Sequence, residues 1–466
     1  MMRSSFFANG DDTGSQSARR EERLAAARTN FLTRYGPGEV HVLRIPARIN
    51  ILGEHVDYVS YLPTASLPFG SQEHEMLMLY RPSGNRSIRG ASGHAGFAPF
   101  SFDLEPSLAA EDWVHFVFDR PAPTPHWSNY CRGAALFAQW KYGKGIGQGI
   151  DFLLDSTIPP AGGSSSSSAI VVLAGAAIRL VNGISLDPAA LARESAQAEW
   201  FLGTRGGALD HTAICLSREG QILLMDHARQ TTELIPFPAD GYRWVTFFSH
   251  VADKGRAVML EYNERAAVSR LLIPALLARL PSQSSMEERI ESLPERLSLA
   301  DFAQLSPQAM AECRSAFPAL VEDRGTRPLA IRDRARHHLG ESQRVAQAVA
   351  RLRSLGKSGT PDQVDSVISV LGRLLEATHE SLRTLYQVSN PEVEALVDVI
   401  GGGTESLGCR LMGGGFGGNV LVLSRAADVG ALVERVEQGY YAPRQRIARR
   451  EGAVMISTPG DGISRL

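Results

Sequence analysis

Apolar residues along the chain follow two spacings. Glu39 to Ile45 alternates in the manner of a strand, with Val40, Val42 and Ile45 apolar. Gly149 to Asp155, Gln221 to Leu224, Trp244 to Phe248 and Val420 to Leu423 also read as strands. Helical spacing marks Arg20 to Tyr35, which Gly36-Pro37-Gly38 stops, and Trp127 to about Tyr142. Asp187 is a candidate N-cap with Pro188 at the first helical position, and the helix they open ends near Glu199. A further helix opens at Glu261. Pro281 to Pro328 reads as helices and connectors. Val345, Val349 and Leu352, then Ile368, Leu371, Leu375, Leu382 and Leu385, repeat a core face on two long helices. His337 and His338 are adjacent and therefore point apart, so surface positions, or positions behind a site, are expected for them.

The stretch that organises this pattern is Ile158 to Ile170, IPPAGGSSSSSAI. A strand precedes it, and the apolar run Ala169 to Val181, broken only by Arg179, follows. Strand, Gly/Ser loop and helix together aim free backbone N–H groups at an anion. Gly162 and Gly163 permit close backbone approach and positive φ. Ser164, Ser165, Ser166, Ser167 and Ser168 can cap the helix, donate to phosphate or hold Mg²⁺ through a hydroxyl. A flexible linker would not be wedged between a buried strand and a buried helix. No Gly-Lys-Ser/Thr follows, so the stretch is not a Walker loop.

A second cluster lies earlier. Arg48, Asn50, Glu54, His55 and Asp57 crowd one short segment of otherwise apolar residues, and a core strand would need partners for each. Closely spaced Glu, His and Asp suit the neighbouring hydroxyls of a sugar. A solvated turn or a metal site would also be compatible with that spacing.

Composition narrows the classes. The 466 residues fit two or three domains, and 44% hydrophobic with 21% charged residues supports a large core. A net charge of −2 without a basic tract argues against nucleic acid as partner. Cys131, Cys215, Cys313 and Cys409 are far apart and form no metal pattern, which points to free thiols in a reducing, cytoplasmic compartment. No apolar run long enough to span a bilayer stands out, and the polar N-terminus lacks a secretory apolar stretch. Residues 1–20 are expected to form a disordered tail.

RINILGEHVDY, from Arg48 to Tyr58, resembles the sugar-binding signature of the galactokinases. The Ile158 stretch resembles the phosphate motif of their superfamily, the GHMP kinases. Arg410 to Asn419, RLMGGGFGGN, is similar to the third glycine-rich motif, and Trp127-Ser128-Asn129-Tyr130, Glu261-Tyr262-Asn263-Glu264-Arg265 and much of the C-terminal half are similar to galactokinases too. GTRGGALDH, ending at Asp210-His211, is similar to the version in N-acetylgalactosamine kinases, with His211 where Gln is usual.

The resemblance implies an α+β fold of two domains, residues 21–238 with a ribosomal-protein-S5-like N-terminal unit and 239–466 with a ferredoxin-like C-terminal unit, and an active site in the cleft between them. It implies ATP and Mg²⁺, with backbone N–H groups of Gly162 to Ser168 on the nucleotide phosphates and Ser167, or less favourably Ser166, with Glu199 on the metal. Asp210 and Arg48 would be catalytic; Glu54, His55, Asp57 and Tyr262 would bind the sugar. The implied reaction is attack by the anomeric hydroxyl of galactose, giving a sugar 1-phosphate and ADP, by a monomer or weak homodimer without nucleic-acid or membrane partners.

Departures from the family pattern leave other substrates open. Val59-Ser60-Tyr61 is shorter and bulkier than usual, Ala161 and Ser164 replace Gly and Leu, and Met412 replaces Thr. N-acetylgalactosamine, galacturonate and arabinose are alternatives, as is a sugar sensor without turnover. An NAD site at the glycines near Gly415 would be unusual so close to the C-terminus.

Overall fold

A computed structural model describes residues 13–106, 112–118, 120–159, 165–203, 206–238, 240–250, 255–356, 359–444 and 453–466, and the statements below are of those residues. A mixed seven-stranded sheet forms the first half. Its order is Ser464–Arg465, His41–Asn50, Pro68–Pro82, Ile150–Ser156, Ser87–Ser92 and Phe100–Asp103, with Pro459–Gly460 also on Pro68–Pro82. All pairs are antiparallel except Ser87–Ser92 with Ile150–Ser156.

Strand alternation decides what each face meets. Leu43, Ile45, Met76, Met78 and Leu154 pack against the helices Ser128–Tyr142, Ser166–Val181 and Pro188–Glu199. Val42, Leu77, Leu79 and Leu153 face the helix Thr13–Tyr35 through Ala27 and Phe31. The strand His41–Asn50 is therefore buried on both faces beyond its first residue. Residues 13–20, expected in a disordered tail, belong instead to that first helix. The helix is held by fully buried Phe31, a contribution of about 2 kcal/mol, and by Arg20 Nε donating to Glu75 Oε1 at 2.9 Å.

The second half carries a four-stranded antiparallel sheet, ordered Gly408–Met412, Asn419–Arg425, Tyr242–Phe248 and Val454–Ser457. One face, with Trp244, Leu421 and Leu423, shares a core with the long helices Arg332–Ser354 and Pro361–Ser381 and with Ile49, Ile51, Leu52 and Phe69. The other face packs on the helices Pro391–Gly401 and Val429–Val436. Four short helices between Met286 and Arg324 pack on Arg256–Ala267, as expected for a connector-rich region. That last helix begins at Arg256, ahead of Glu261.

A boundary at 238/239 needs one correction. Pro459–Gly460 and Ser464–Arg465, placed by sequence in the C-terminal unit, pair with the first sheet. Thr458 seals this return, its N–H and hydroxyl donating to Glu73 at 2.8 and 2.6 Å. No described helix is long and apolar enough to cross a membrane.

Candidate active site

The end of the strand His41–Asn50, the start of the helix Ser166–Val181 and the turn before Asn419 converge on one cavity of about 220 Å³, enough for a small polar molecule rather than a lone ion. Arg48, Asp57, Ser167, Glu199, Asp210 and Tyr262 are among the residues lining it. A register shift between Pro46 and Arg48 precedes the site; such a bulge re-aims the following side chains.

Arg48 and Asp210 meet although 162 positions separate them. Arg48 Nε donates to Asp210 Oδ1 at 2.7 Å, and Nη2 lies 2.6 Å from the same oxygen. Burial alone would depress the Arg48 pKa, but Asp210 and Glu54 outweigh it and raise it. Arg48 Nη1 is buried and has no partner. Asp210 opens the helix Leu209–Leu216, where the helix dipole favours its negative charge.

Gly53 and His55 both adopt positive φ, 86° and 59°, and a Cβ on Gly53 would meet Ala65 O at 2.4 Å. The turn is tied down by Glu341, which accepts from Gly53 N–H at 2.6 Å. Asn50 Nδ2 and Gly413 N–H each donate to Glu54 Oε2 at 3.1 Å, and Arg410 Nη1 forms an ion pair with the same oxygen at 2.9 Å. Burial would raise the Glu54 pKa, but Arg410 and Arg48 override it and hold the carboxyl low. Arg410 also donates from Nε to Ile51 O at 2.7 Å, so it joins the first and third motifs.

Asp57 is pushed up to about 6, first by burial and then by the charges of Asp210 and Glu54, with Arg270 and the Leu209 N–H opposing. Gly207 packs so closely on it that a Cβ there would lie 2.0 Å from Asp57 Oδ2. His55 is held at about 4, burial winning over the pull of Glu54. Its Nδ1 is 2.9 Å from Tyr58 OH, and its buried Nε2 has no partner. Burial pushes the Tyr262 phenol well up, so it keeps its proton.

At the serine run, Ser165 takes φ 62° just before the helix Ser166–Val181, and its buried hydroxyl has no partner. Gly162, Gly163 and Ser164 lie outside the described residues. Glu199 ends its helix as expected, and Asp187 caps that helix by accepting from Ala189 N–H at 3.0 Å. Ser168 Oγ donates to Glu199 Oε2 at 2.8 Å, whereas Ser167 lies beside Tyr130 and lines the cavity. His211 Nε2 lies 2.8 Å from Glu199 Oε2 but off the direction of a hydrogen bond.

His337 and His338 are not at the surface: both are fully buried, and the His337 ring lies 4.5 Å from that of Tyr386. Tyr386 reaches this place because the helix Pro361–Ser381 runs into a π-turn, Leu382–Tyr386. Arg410 and Tyr386 were given no role from sequence. An arginine inside a run of apolar strand residues was the available signal for the first; a helical stripe hides the second.

Comparison with known proteins fits this geometry. The model of the GHMP kinases N terminal domain matches residues 129–218, which include the serine run, Glu199 and Asp210. A galactokinase of Chloroflexus aggregans is 29% identical over 445 residues, covering 92% of this chain and 94% of that one. A galactokinase of Lactobacillus helveticus is 24% identical over 401 residues, 85% and 88% of the two chains. Among solved structures, Lactococcus lactis galactokinase complexed with galactose superposes with a TM-score of 0.71 at 25% identity, covering 95% of this chain and all of that one. Mevalonate kinase of Methanococcus jannaschii, with a TM-score of 0.54 at 13% identity over 91% of this chain and 99% of its own, shares the fold alone. By these matches the chain is similar to the GHMP kinases over residues 129–218 and to galactokinases over most of its length.

Proposed function

We propose that the chain transfers the γ-phosphoryl group of ATP to the anomeric hydroxyl of galactose or a closely related sugar, releasing a sugar 1-phosphate and ADP. The observation that carries this is the Arg48–Asp210 pair, set in one cavity with the first turn of the serine helix. Phosphoryl transfer asks the protein for positioning and charge neutralisation. Asp210 accepts or orients the proton of the attacking hydroxyl. Arg48 pairs with Asp210 and fixes its orientation, and its unpaired Nη1 suits an oxygen of the transferred phosphoryl group. Ser165 to Ser168, with the helix N-terminus behind them, suit the nucleotide phosphates. Glu54, His55, Asp57 and Tyr262 bind the remaining sugar hydroxyls.

The donor set also fits Mg²⁺. Among the described residues no three His, Cys, Asp or Glu side chains gather to hold a metal alone. A single carboxylate, Glu199, with the hydroxyl of Ser167 or of Ser168 suits an ion that completes its shell with phosphate oxygens and water. When bound, the ion supplies neutralisation of phosphate charge. The two units are best taken as residues 13–238 with 459–466, and 239–458. The four cysteines are buried and free, which agrees with a reducing, cytoplasmic compartment.

Asp57 supplies a pH signature. Its carboxyl is protonated below about 6 in the substrate-free protein, so the form able to accept hydrogen bonds from two hydroxyls is lost as pH falls. Galactose binding measured by calorimetry should weaken about tenfold between roughly pH 7 and pH 5, following the ionised fraction, and Asp57→Asn should flatten the profile. An affinity that does not change over this range removes Asp57 as an acceptor.

The reaction is tested by coupled ADP release over galactose, N-acetylgalactosamine, galacturonate and arabinose. Turnover with galactose is expected. No ADP release with any of them, alongside calorimetric sugar binding, would replace the kinase with a sensor.

A further inference from the structure

Six side chains form one continuous line of hydrogen bonds that ends at the cavity. Tyr61 OH lies 2.6 Å from His338 Nδ1, and His338 Nε2 lies 3.3 Å from Ser269 Oγ. Ser269 Oγ lies 3.3 Å from Tyr386 OH, which lies 2.8 Å from Tyr58 OH. Tyr58 OH lies 2.9 Å from His55 Nδ1. Beyond it, His55 Nε2 is the buried atom without a partner. The line joins the loop before Leu62, the helices Arg332–Ser354 and Arg256–Ala267 with its π-turn continuation, and the turn Leu382–Tyr386.

We propose that Tyr61 and His338, which lie outside the cavity, are positioning residues that fix the tautomer of His55, so that its Nε2 carries the proton and donates to an oxygen of the sugar. This rests on the sugar-kinase reading above, but the state of the imidazole can be observed without it.

The direction of the line follows from counting hydrogens. Burial keeps the phenols of Tyr58, Tyr61 and Tyr386 protonated, so each has one hydrogen to give. Burial likewise keeps His55 and His338 neutral, so each has one N–H and one acceptor nitrogen. If Tyr61 donates to His338 Nδ1, then His338 Nε2–H donates to Ser269, Ser269 to Tyr386, Tyr386 to Tyr58 and Tyr58 to His55 Nδ1. Every hydrogen in the line is then used, and the one left over sits on His55 Nε2, at the cavity. In the reverse direction the leftover hydrogen is the Tyr61 O–H. Tyr61 is half-buried against the apolar cluster around Leu272, Ile331 and Ala335, so an unused donor there has no protein acceptor beside it among the described residues, whereas His55 Nε2 faces the cavity where the sugar oxygens would lie. Tyr61 thus biases a choice made at the far end of the line. It also belongs to the Val59-Ser60-Tyr61 segment that departs from the family pattern.

The test uses the full chain with 15N-labelled histidine and long-range 1H–15N spectra, the His55 signal being assigned by its loss in His55→Gln. The expected wild-type spectrum shows His55 protonated at Nε2. Tyr61→Phe and Ser269→Ala, each removing one oxygen from a different link, are expected to shift His55 toward the Nδ1–H form. The KM for galactose should rise about fivefold in both, the weight of one hydrogen bond, with kcat and the KM for ATP within about twofold. A wild-type His55 protonated at Nδ1, or a tautomer unchanged in both variants, overturns the proposal. Absence of turnover with every sugar would instead overturn the kinase reading, while the His55 spectrum would still decide the tautomer.

Discussion

Asp210→Ala is expected to lower kcat by about 10²- to 10⁴-fold, the range for loss of a positioned proton acceptor, with the KM for ATP little changed. The side chain is 30% exposed and occupies the first turn of a short helix, so it holds no core together. Thermal unfolding of the variant should therefore stay close to wild type. Asp210→Asn separates shape from charge. It keeps the volume and can still accept a bond from Arg48, but it cannot take a proton or carry the charge that pairs with the guanidinium, so a similar loss is expected. Near-normal turnover in either variant would remove Asp210 from the chemistry.

The second large effect is expected at Arg48. Arg48→Met should lower kcat by about 10²- to 10³-fold, the cost of removing one charged donor from a developing transition state. It should also cost folding stability, unlike the change at Asp210. Arg48 is the buried cation next to Asp210, Glu54 and Asp57. Without it Glu54, Asp57 and Asp210, three of the four carboxyls lining the cavity, lose a common cation; among the described residues Arg410 remains beside Glu54 and Arg270 beside Asp57. The expected loss is about 2 kcal/mol, below that of a wholly buried pair because Asp210 reaches solvent, and urea denaturation reads it directly. Arg48→Lys should recover most of the stability and little of the activity. A single ammonium can replace the charge, but not the fork that bonds Asp210 through Nε while leaving Nη1 for another oxygen. Equal activity in Arg48→Lys and wild type would contradict this account of the fork.

The site was legible in sequence where short-range chemistry is unusual for its surroundings. The Gly/Ser stretch stands between two apolar runs, and the polar cluster from Arg48 to Asp57 stands in an apolar one, so both announced themselves. The cap at Asp187 and the helix end at Glu199 followed from local rules and occur as expected. What stayed hidden depends on contacts far apart in the chain. Glu54 is held by Arg410, more than 350 positions away, and no local pattern encodes that pair. Tyr386 enters the site through a π-turn that interrupts a regular helical stripe. Two adjacent histidines on a helix cannot share one face, so His337 and His338 were expected at the surface or behind a site; the second holds, both faces being buried by different neighbours. The last strands, two residues each, are too short to carry a period, and so the return of the C-terminus to the first sheet could not be read. The choice between Ser167 and Ser168 at Glu199 was equally beyond spacing, since consecutive serines differ only in helical phase.

The most direct test of the cavity as a sugar 1-kinase site is the 31P spectrum of the products formed from ATP, Mg²⁺ and galactose. The account predicts equal amounts of ADP and a phosphate ester coupled to the anomeric proton, formed by the wild-type chain and not by Asp210→Ala. Inorganic phosphate in place of the ester, an ester on another hydroxyl, or the same product from both proteins would contradict it.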